Sequence, residues 1–209
     1  MIENTESSAL KHQGTLVLGD STFARINNSI VVNGISGIVA NHSKSGQTTP
    51  ELIINLKRQY RTLPDYEHVV LVTGKNDYQC TPESNLKDFI KTSIISIRSI
   101  LGNAPRLYVV GLVCRPCRCQ REYSIVSRKT RQITRCCGQK QRSDWCKMFN
   151  SILEVYSSGS VEGSHFQYIP PPPFTDAWEW DDGIHLSALE HQKYIAHIEM
   201  TINAANISE

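Results

Sequence analysis

Nowhere in the 209-residue sequence is there an apolar run approaching the about 18 residues that a membrane-spanning helix needs, so no segment is expected to cross a bilayer. The first residues, MIENTESSALKHQG, also lack the basic-then-apolar build of a secretion signal, and the expectation is a cytoplasmic or otherwise intracellular protein. Charge of one sign is scarce. With 22 Lys and Arg against 20 Asp and Glu, the formal net charge is +2, too small to imply a nucleic-acid or membrane partner by itself. No internal repeat is visible, which excludes solenoids and propellers. What remains, 40% apolar over this length, suffices for one buried core. Met1 to Gln13 is polar and aperiodic and reads as a disordered or loosely docked tail, with residues 14–205 forming a single domain.

Three continuous apolar runs are of the sort that strands buried on both faces require: Thr15 to Leu18, His68 to Thr73, and Arg106 to Val113. Two shorter ones, Gly37 to Asn41 and His165 to Ile169, are expected to flank them. Helical segments alternate with these strands. Thr49-Pro50-Glu51 and Thr81-Pro82-Glu83 each place a capping threonine before a proline and an acid, as a helix start requires. After the second, Leu86, Phe89, Ile90, Ile94, Ile97 and Leu101 recur on one helical face, and Gly102 supplies a left-handed stop. Further helices are expected over Asp144 to about Tyr156 and from Ser187, where Glu190 completes a capping box and Leu189, Ile195, Ile198 and Ile202 face inward. This alternation implies a three-layer α/β/α sandwich on a mostly parallel sheet, with ligands bound beyond the carboxyl ends of the strands.

Both of the strongest strands end in small and polar clusters, Gly19-Asp20-Ser21 and Gly74-Lys75-Asn76-Asp77, on the edge where such a fold builds its site. Near the other end, Asp182-Gly183-Ile184-His185 puts a carboxylate three residues before a histidine, on the loop leading into the last helix. A serine hydroxyl is a poor nucleophile until an imidazole accepts its proton, and the imidazole needs an acid to fix its tautomer. Ser21, His185 and Asp182 supply those three roles. Asp20 and Asp77 are expected to brace loops, and His42, His165 and His191 to be surface or hydrogen-bonded residues.

These segments resemble, block by block and in order, the SGNH or GDSL-like hydrolases. LVLGDS is similar to the first block and carries Ser21; VANHSKSGQTTPEL to the second; VLVTGKNDY to the third; DDGIHLS to the last. The resemblance implies a flavodoxin-like, mostly parallel five-stranded sheet and a serine esterase acting on a short acyl ester, such as an acetyl ester, through an acyl-enzyme. It also implies an oxyanion hole built from the amides of Ser21 and Gly46 and the carboxamide of Asn76, with Gly34 and Gly37 as alternatives to Gly46, and no cofactor for catalysis. Two departures stand out: Lys75 adds a cation inside the third block, and Thr22-Phe23-Ala24 follows the nucleophile where leucine is common.

The 114–146 stretch is unlike the rest. It holds six of the seven cysteines and is strongly basic, with Glu122 the one acid before Asp144 against Arg115, Arg118, Arg121, Arg128, Lys129, Arg131, Arg135, Lys140 and Arg142. In a reducing compartment, metal ligation or free thiols are favoured over disulfides. Cys114, Cys117, Cys136 and Cys146 would supply four thiolates to a structural zinc, and free or partly buried thiols are the other reading. The basic cluster is either a solvated loop or an anion-binding surface. Short esterase-like domains of this type resemble those in the first open reading frame of some LINE-type retrotransposons. The alternative function is therefore a non-catalytic nucleic-acid or anion-binding module working through Arg128, Lys129 and Arg131. The tract IPPPPF, Ile169 to Phe174, reads as stiff polyproline leading into the Asp182 loop, either a rigid connector that holds His185 in place or one wall of the acyl or sugar pocket.

Overall fold

The computed structural model describes residues 12–24, 38–59, 66–114, 130–159, 163–172 and 186–207. Five strands form one sheet: β1 (His12–Gly19), β2 (Ile38–Asn41), β3 (Tyr66–Val72), β4 (Arg106–Val110) and β5 (Gln167–Ile169). Their order is β2-β1-β3-β4-β5 and every neighbouring pair is parallel. β1 takes in His12 and Gln13, so the order of the domain begins two residues inside the expected tail.

The apolar runs become central strands because alternate residues serve opposite faces. Leu16, Leu18, Val69, Leu71, Leu107 and Val109 enter the core on one side. Val17, Val70, Val72, Tyr108, Val110 and Ile169 enter the core on the other. A strand with one wet face could not carry such a run.

The helices are α1 (Ser21–Ala24), α2 (Thr49–Gln59), α3 (Leu86–Leu101), α4 (Thr130–Ser157) and α5 (Ala188–Ile207). Leu52 and Leu56 of α2, the apolar stripe of α3, and Trp145, Phe149 and Leu153 of α4 cover the first face. Phe23 of α1 and Tyr194, Ile195, Ile198 and Ile202 of α5 cover the second. This division follows from connectivity: the chain leaves β1 toward β2 in one direction and thereafter crosses in the other, and right-handed crossovers put opposite directions on opposite faces. β1 and β3, where the direction reverses, are the switch point of a doubly wound sheet.

Helix starts differ from expectation by short steps with local causes. Thr48, not Thr49, caps α2: its carbonyl accepts from Leu52 N–H at 3.0 Å, and its own N–H and Oγ both donate to Glu51 Oε2 at 2.9 Å, the returning half of a capping box. After Pro82 a single 3₁₀ turn, Glu83–Asn85, comes before α3 begins. Gly102 ends α3 at φ 72°, its N–H bonded to Arg98 O at 2.8 Å, as the sequence implies. In α5 Ser187 Oγ accepts from Glu190 N–H, but Leu189 is exposed, and the inward face is completed by His191 and Tyr194 instead. The largest difference is α4, which starts at Thr130 and runs through the second half of the cysteine-rich stretch.

That stretch also corrects the cysteine reading. Cys114, just past β4, and Cys146, inside α4, are joined in a disulfide. Both sulfurs are thereby committed to each other, and the zinc set Cys114, Cys117, Cys136 and Cys146 does not form with them oxidised. Cys117 and the side chain of Cys136 lie outside the described residues. Among the described residues there is no group of three or more His, Cys, Asp or Glu that would hold a metal, and no helix long and apolar enough to cross a membrane.

Candidate active site

Gly19 brings β1 to its end in a place where no side chain fits: a Cβ there would lie 2.6 Å from Val72 O on β3 and 3.2 Å from Ser43 Oγ. The close approach lets Asp20 N–H donate to Val72 O at 3.1 Å and Lys44 N–H to Gly19 O at 3.0 Å. Three separate segments are thus fastened at the carboxyl end of β1. Asp20 then caps α1, its Oδ1 accepting Thr22 N–H at 2.8 Å, and Ser21 occupies the first helical position, 4% exposed. The strand-to-helix turn holds the hydroxyl-bearing residue at the rim of the sheet rather than along a strand.

The loop after β2 is shaped by its own side chains. Asn41 Oδ1 accepts Ser43 N–H at 3.0 Å, while Asn41 Nδ2 donates to Phe23 O at 3.0 Å, tying this loop to α1. Gly46 adopts φ 75° in the turn closed by Gln47 N–H to Lys44 O at 3.3 Å. Opposite it, Asn76 Nδ2 donates to Gln47 O at 2.9 Å, so the Gly46 turn and the loop after β3 meet directly. A carboxamide nitrogen carries two hydrogens. One is used on Gln47, and the second is available to a reacting group.

Beneath this junction Asp77 is fully buried. Its oxygens accept Thr49 N–H at 3.0 and 3.1 Å and Thr49 Oγ at 2.5 Å, and Thr49 Oγ lies 2.8 Å from Thr73 Oγ. Burial, with Asp20 and Glu51 as nearby like charges, outweighs these hydrogen bonds and pushes its carboxyl up to about 6. Gly74, at φ 120°, passes over the Phe149 ring, where a Cβ would come within 2.6 Å. Phe149 is stacked on Trp145, whose Nε1 donates to Thr81 O at 3.2 Å, so α4 forms the floor of the Lys75-Asn76 loop.

A small cleft lies against Thr22, the residue after Ser21, and is lined also by Lys75, Leu112, Leu186, His191 and Tyr194 among others. Leu112 is held there by a reciprocal pair: its N–H donates to Asn150 Oδ1 at 2.7 Å, and Asn150 Nδ2 donates to its carbonyl at 2.8 Å. Tyr194 donates to Gly111 O at 3.0 Å, and its phenol is shifted upward by complete burial and then by Asp20. His191, expected to be a surface or hydrogen-bonded residue, is 8% exposed and lines this cleft. The inward face of α5 was the signal for it, since His191 precedes Tyr194 and Ile195 at helical spacing.

Of the residues singled out from the sequence, Ser21, Gly46 and Asn76 come from three elements to one rim, and Asp20 and Asp77 brace loops as anticipated. His42 Nδ1 bonds Gln59 Oε1 at 3.1 Å, and His165 is exposed. Asp182 and His185 lie outside the described residues, as do Arg128, Lys129 and the side chain of Arg131. The residue after His185, Leu186, is buried against the α1/α5 side of the sheet and shares the cleft with Thr22.

No family profile and no curated protein sequence matches the chain. Solved structures do. A lipase/acylhydrolase from Enterococcus faecalis superposes with a TM-score of 0.61 at 17% identity, over 92% of this chain and 96% of the other. The C-terminal catalytic domain of Streptococcus pneumoniae peptidoglycan O-acetyltransferase A, carrying a methylsulfonyl adduct, gives 0.59 at 15% identity, over 93% and 95%. A GDSL-like lipase from Bacteroides thetaiotaomicron gives 0.57 at 13%, over 92% and 89%. With its five parallel strands in the order β2-β1-β3-β4-β5 and near-complete mutual coverage with these structures, the chain has the α/β/α fold of the SGNH hydrolases.

Proposed function

We propose that the protein is a serine esterase that hydrolyses short acyl esters, with Ser21 as nucleophile and His185 and Asp182 as its base and orienting acid. The observation that carries this reading is the junction at the sheet rim: the β1–α1 turn bearing Ser21, the Gly46 turn and Asn76 are tied together by hydrogen bonds of about 3 Å. Three loops distant in sequence have no packing reason to converge polar groups on a strand end, whereas an acyl-transfer site requires it. The neighbours named above, an acylhydrolase, a lipase and an O-acetyltransferase domain, support acyl-ester chemistry on this scaffold.

In this mechanism Ser21 Oγ attacks the ester carbonyl as His185 takes its proton, and the carbonyl oxygen gathers charge. The backbone N–H groups of Ser21 and Gly46 and the remaining N–H of Asn76 receive that oxyanion. His185 then protonates the leaving alcohol, and water, deprotonated by the same imidazole, releases the acid from Ser21. The cleft against Thr22, the residue after Ser21, is walled by the buried side chains of Leu112, Leu186 and Tyr194, which supports a short acyl group over a long one.

The test is hydrolysis of p-nitrophenyl acetate by the purified protein. Ser21→Ala is expected to lower kcat by a factor on the order of 10⁴ to 10⁶. An alkyl phosphonate should add one equivalent to the protein, located on Ser21 by peptide mass spectrometry. Turnover retained in Ser21→Ala, or phosphonate on another residue, would overturn the assignment.

A further inference from the structure

An oxyanion hole split between two loops works only if the loops keep a fixed separation, and the structure contains a device for this directly under the hole. We propose that Asp77 is a positioning residue, whose carboxylate clips the start of α2 to the end of β3 and so sets the Asn76 amide against the Gly46 turn. The inference rests on the esterase reading.

Two ties join the same pair of loops. The upper one is a single neutral hydrogen bond, Asn76 Nδ2 to Gln47 O at 2.9 Å. The lower one is ionic and multiple: both Asp77 oxygens accept from Thr49, through its N–H and its hydroxyl. Because the Thr49 hydroxyl gives its hydrogen to the carboxylate, the contact at 2.8 Å makes Thr73 the donor to Thr49. The chain Thr73–Thr49–Asp77 thus runs from the end of β3, across to α2, and back to the residue after Asn76. Asn76 is the residue immediately before the 3₁₀ turn Asp77–Gln79, so any shift of Asp77 carries Asn76 with it.

The position is informative because a carboxylate is a costly way to join two loops. Asp77 is fully buried, with Asp20 and Glu51 as like-charged neighbours. A neutral residue would connect the loops without that penalty. Charge-assisted hydrogen bonds are shorter and stiffer than neutral ones, and they satisfy a free N–H at the start of α2. Stiffness is what the Asn76 amide needs, since displacement of about 1 Å at a reacting centre costs roughly 10² in rate.

The experiment compares p-nitrophenyl acetate kinetics and thermal unfolding for wild type, Asp77→Asn, Asn76→Ala, the double variant, and Thr49→Val. Asp77→Asn is expected to lower kcat by roughly 10- to 100-fold with KM within about twofold, in a protein that unfolds cooperatively. In the Asn76→Ala background the same change should cost less than about threefold, because no amide remains to be misplaced. A folded Asp77→Asn with wild-type kcat, or fold-changes that multiply, overturns the proposal. Should Asp77→Asn not fold, Thr49→Val decides, since it keeps the N–H and removes the hydroxyl: kcat down by about fivefold with KM unchanged supports the clip, and unchanged kcat overturns it. A wild type inert to both acetate ester and phosphonate removes the esterase reading and Asp77's role together. A wild type that turns over while Asp77→Asn equals it removes the second alone.

Discussion

Asp77 holds its charge where the protein would prefer none, and that has a consequence for stability. Its carboxyl titrates near 6 in the folded protein, against an ordinary value of 3.8, with burial the largest cause. Between those values the folded chain binds more protons than the unfolded one, so this residue's contribution falls as pH rises from about 4 to about 6 and is lost above that. The melting temperature of wild type minus that of Asp77→Asn should therefore decrease across this window and level off near neutrality. A difference that grows with pH would contradict the assignment. Single residues varied in how well the sequence announced them. Ser21, Asn76 and Asp77 were readable because each follows an apolar run that must end at the sheet edge. Arg98 was not readable: it lies within the apolar face of α3, where a charge looks like an interruption, yet it is 8% exposed and its guanidinium is spent on backbone carbonyls. Cys114 and Cys146 were misread because a cysteine count does not reveal which two sulfurs meet.

Elements whose apolar period matched their surroundings were legible, and those held by side-chain devices were not. β4 was expected to reach Val113 but stops at Val110: Gly111 N–H still donates to Ile169 O of β5 at 2.8 Å, but Tyr194 takes the Gly111 carbonyl and Asn150 takes both backbone groups of Leu112, which a longer strand would have offered to a neighbour. The first half of α4 was missed because TRQITRCCGQK shows no apolar stripe, includes Gly138, and is rich in cations. Where α4 does show its stripe, it controls the loop after β3. Gly74→Ala should set a methyl group into the Phe149 ring, which Trp145 prevents from yielding, and also impose a side chain on a backbone at φ 120°. We expect a loss of about 2 to 4 kcal/mol, read as a lower denaturant midpoint with unchanged slope. A variant as stable as wild type would mean that Phe149 does not floor that loop.

At the scale of the whole molecule, the switch point between β1 and β3 brings the Ser21 turn, the Gly46 turn and Asn76 to one rim, and a fold shared at 13–17% identity shows how little of the sequence the architecture demands. The disulfide acts on the same scale. Cys114 and Cys146 are 32 residues apart, and closing a loop of that length removes enough freedom from the unfolded chain to stabilise the fold by about 3 to 4 kcal/mol. Cys114→Ser, or a dithiol reductant, is expected to lower the melting temperature by roughly 10 °C, with the thiols of Cys114 and Cys146 becoming alkylatable in the reduced wild type. Equal melting curves with and without reductant would show that the bond does not form in solution.

Arg98 has a consequence of its own. Its guanidinium grips the carbonyl of His165, just ahead of β5, and those of Pro105 and Gly102, just ahead of β4, while its backbone belongs to α3. The molecule is therefore bound along its spine, at the margin remote from Ser21. Breathing has to part the leaves at the fore-edge, and amide deuteration should run deep in the 42–48 and 73–76 loops there while the margin around Arg98 stays dark.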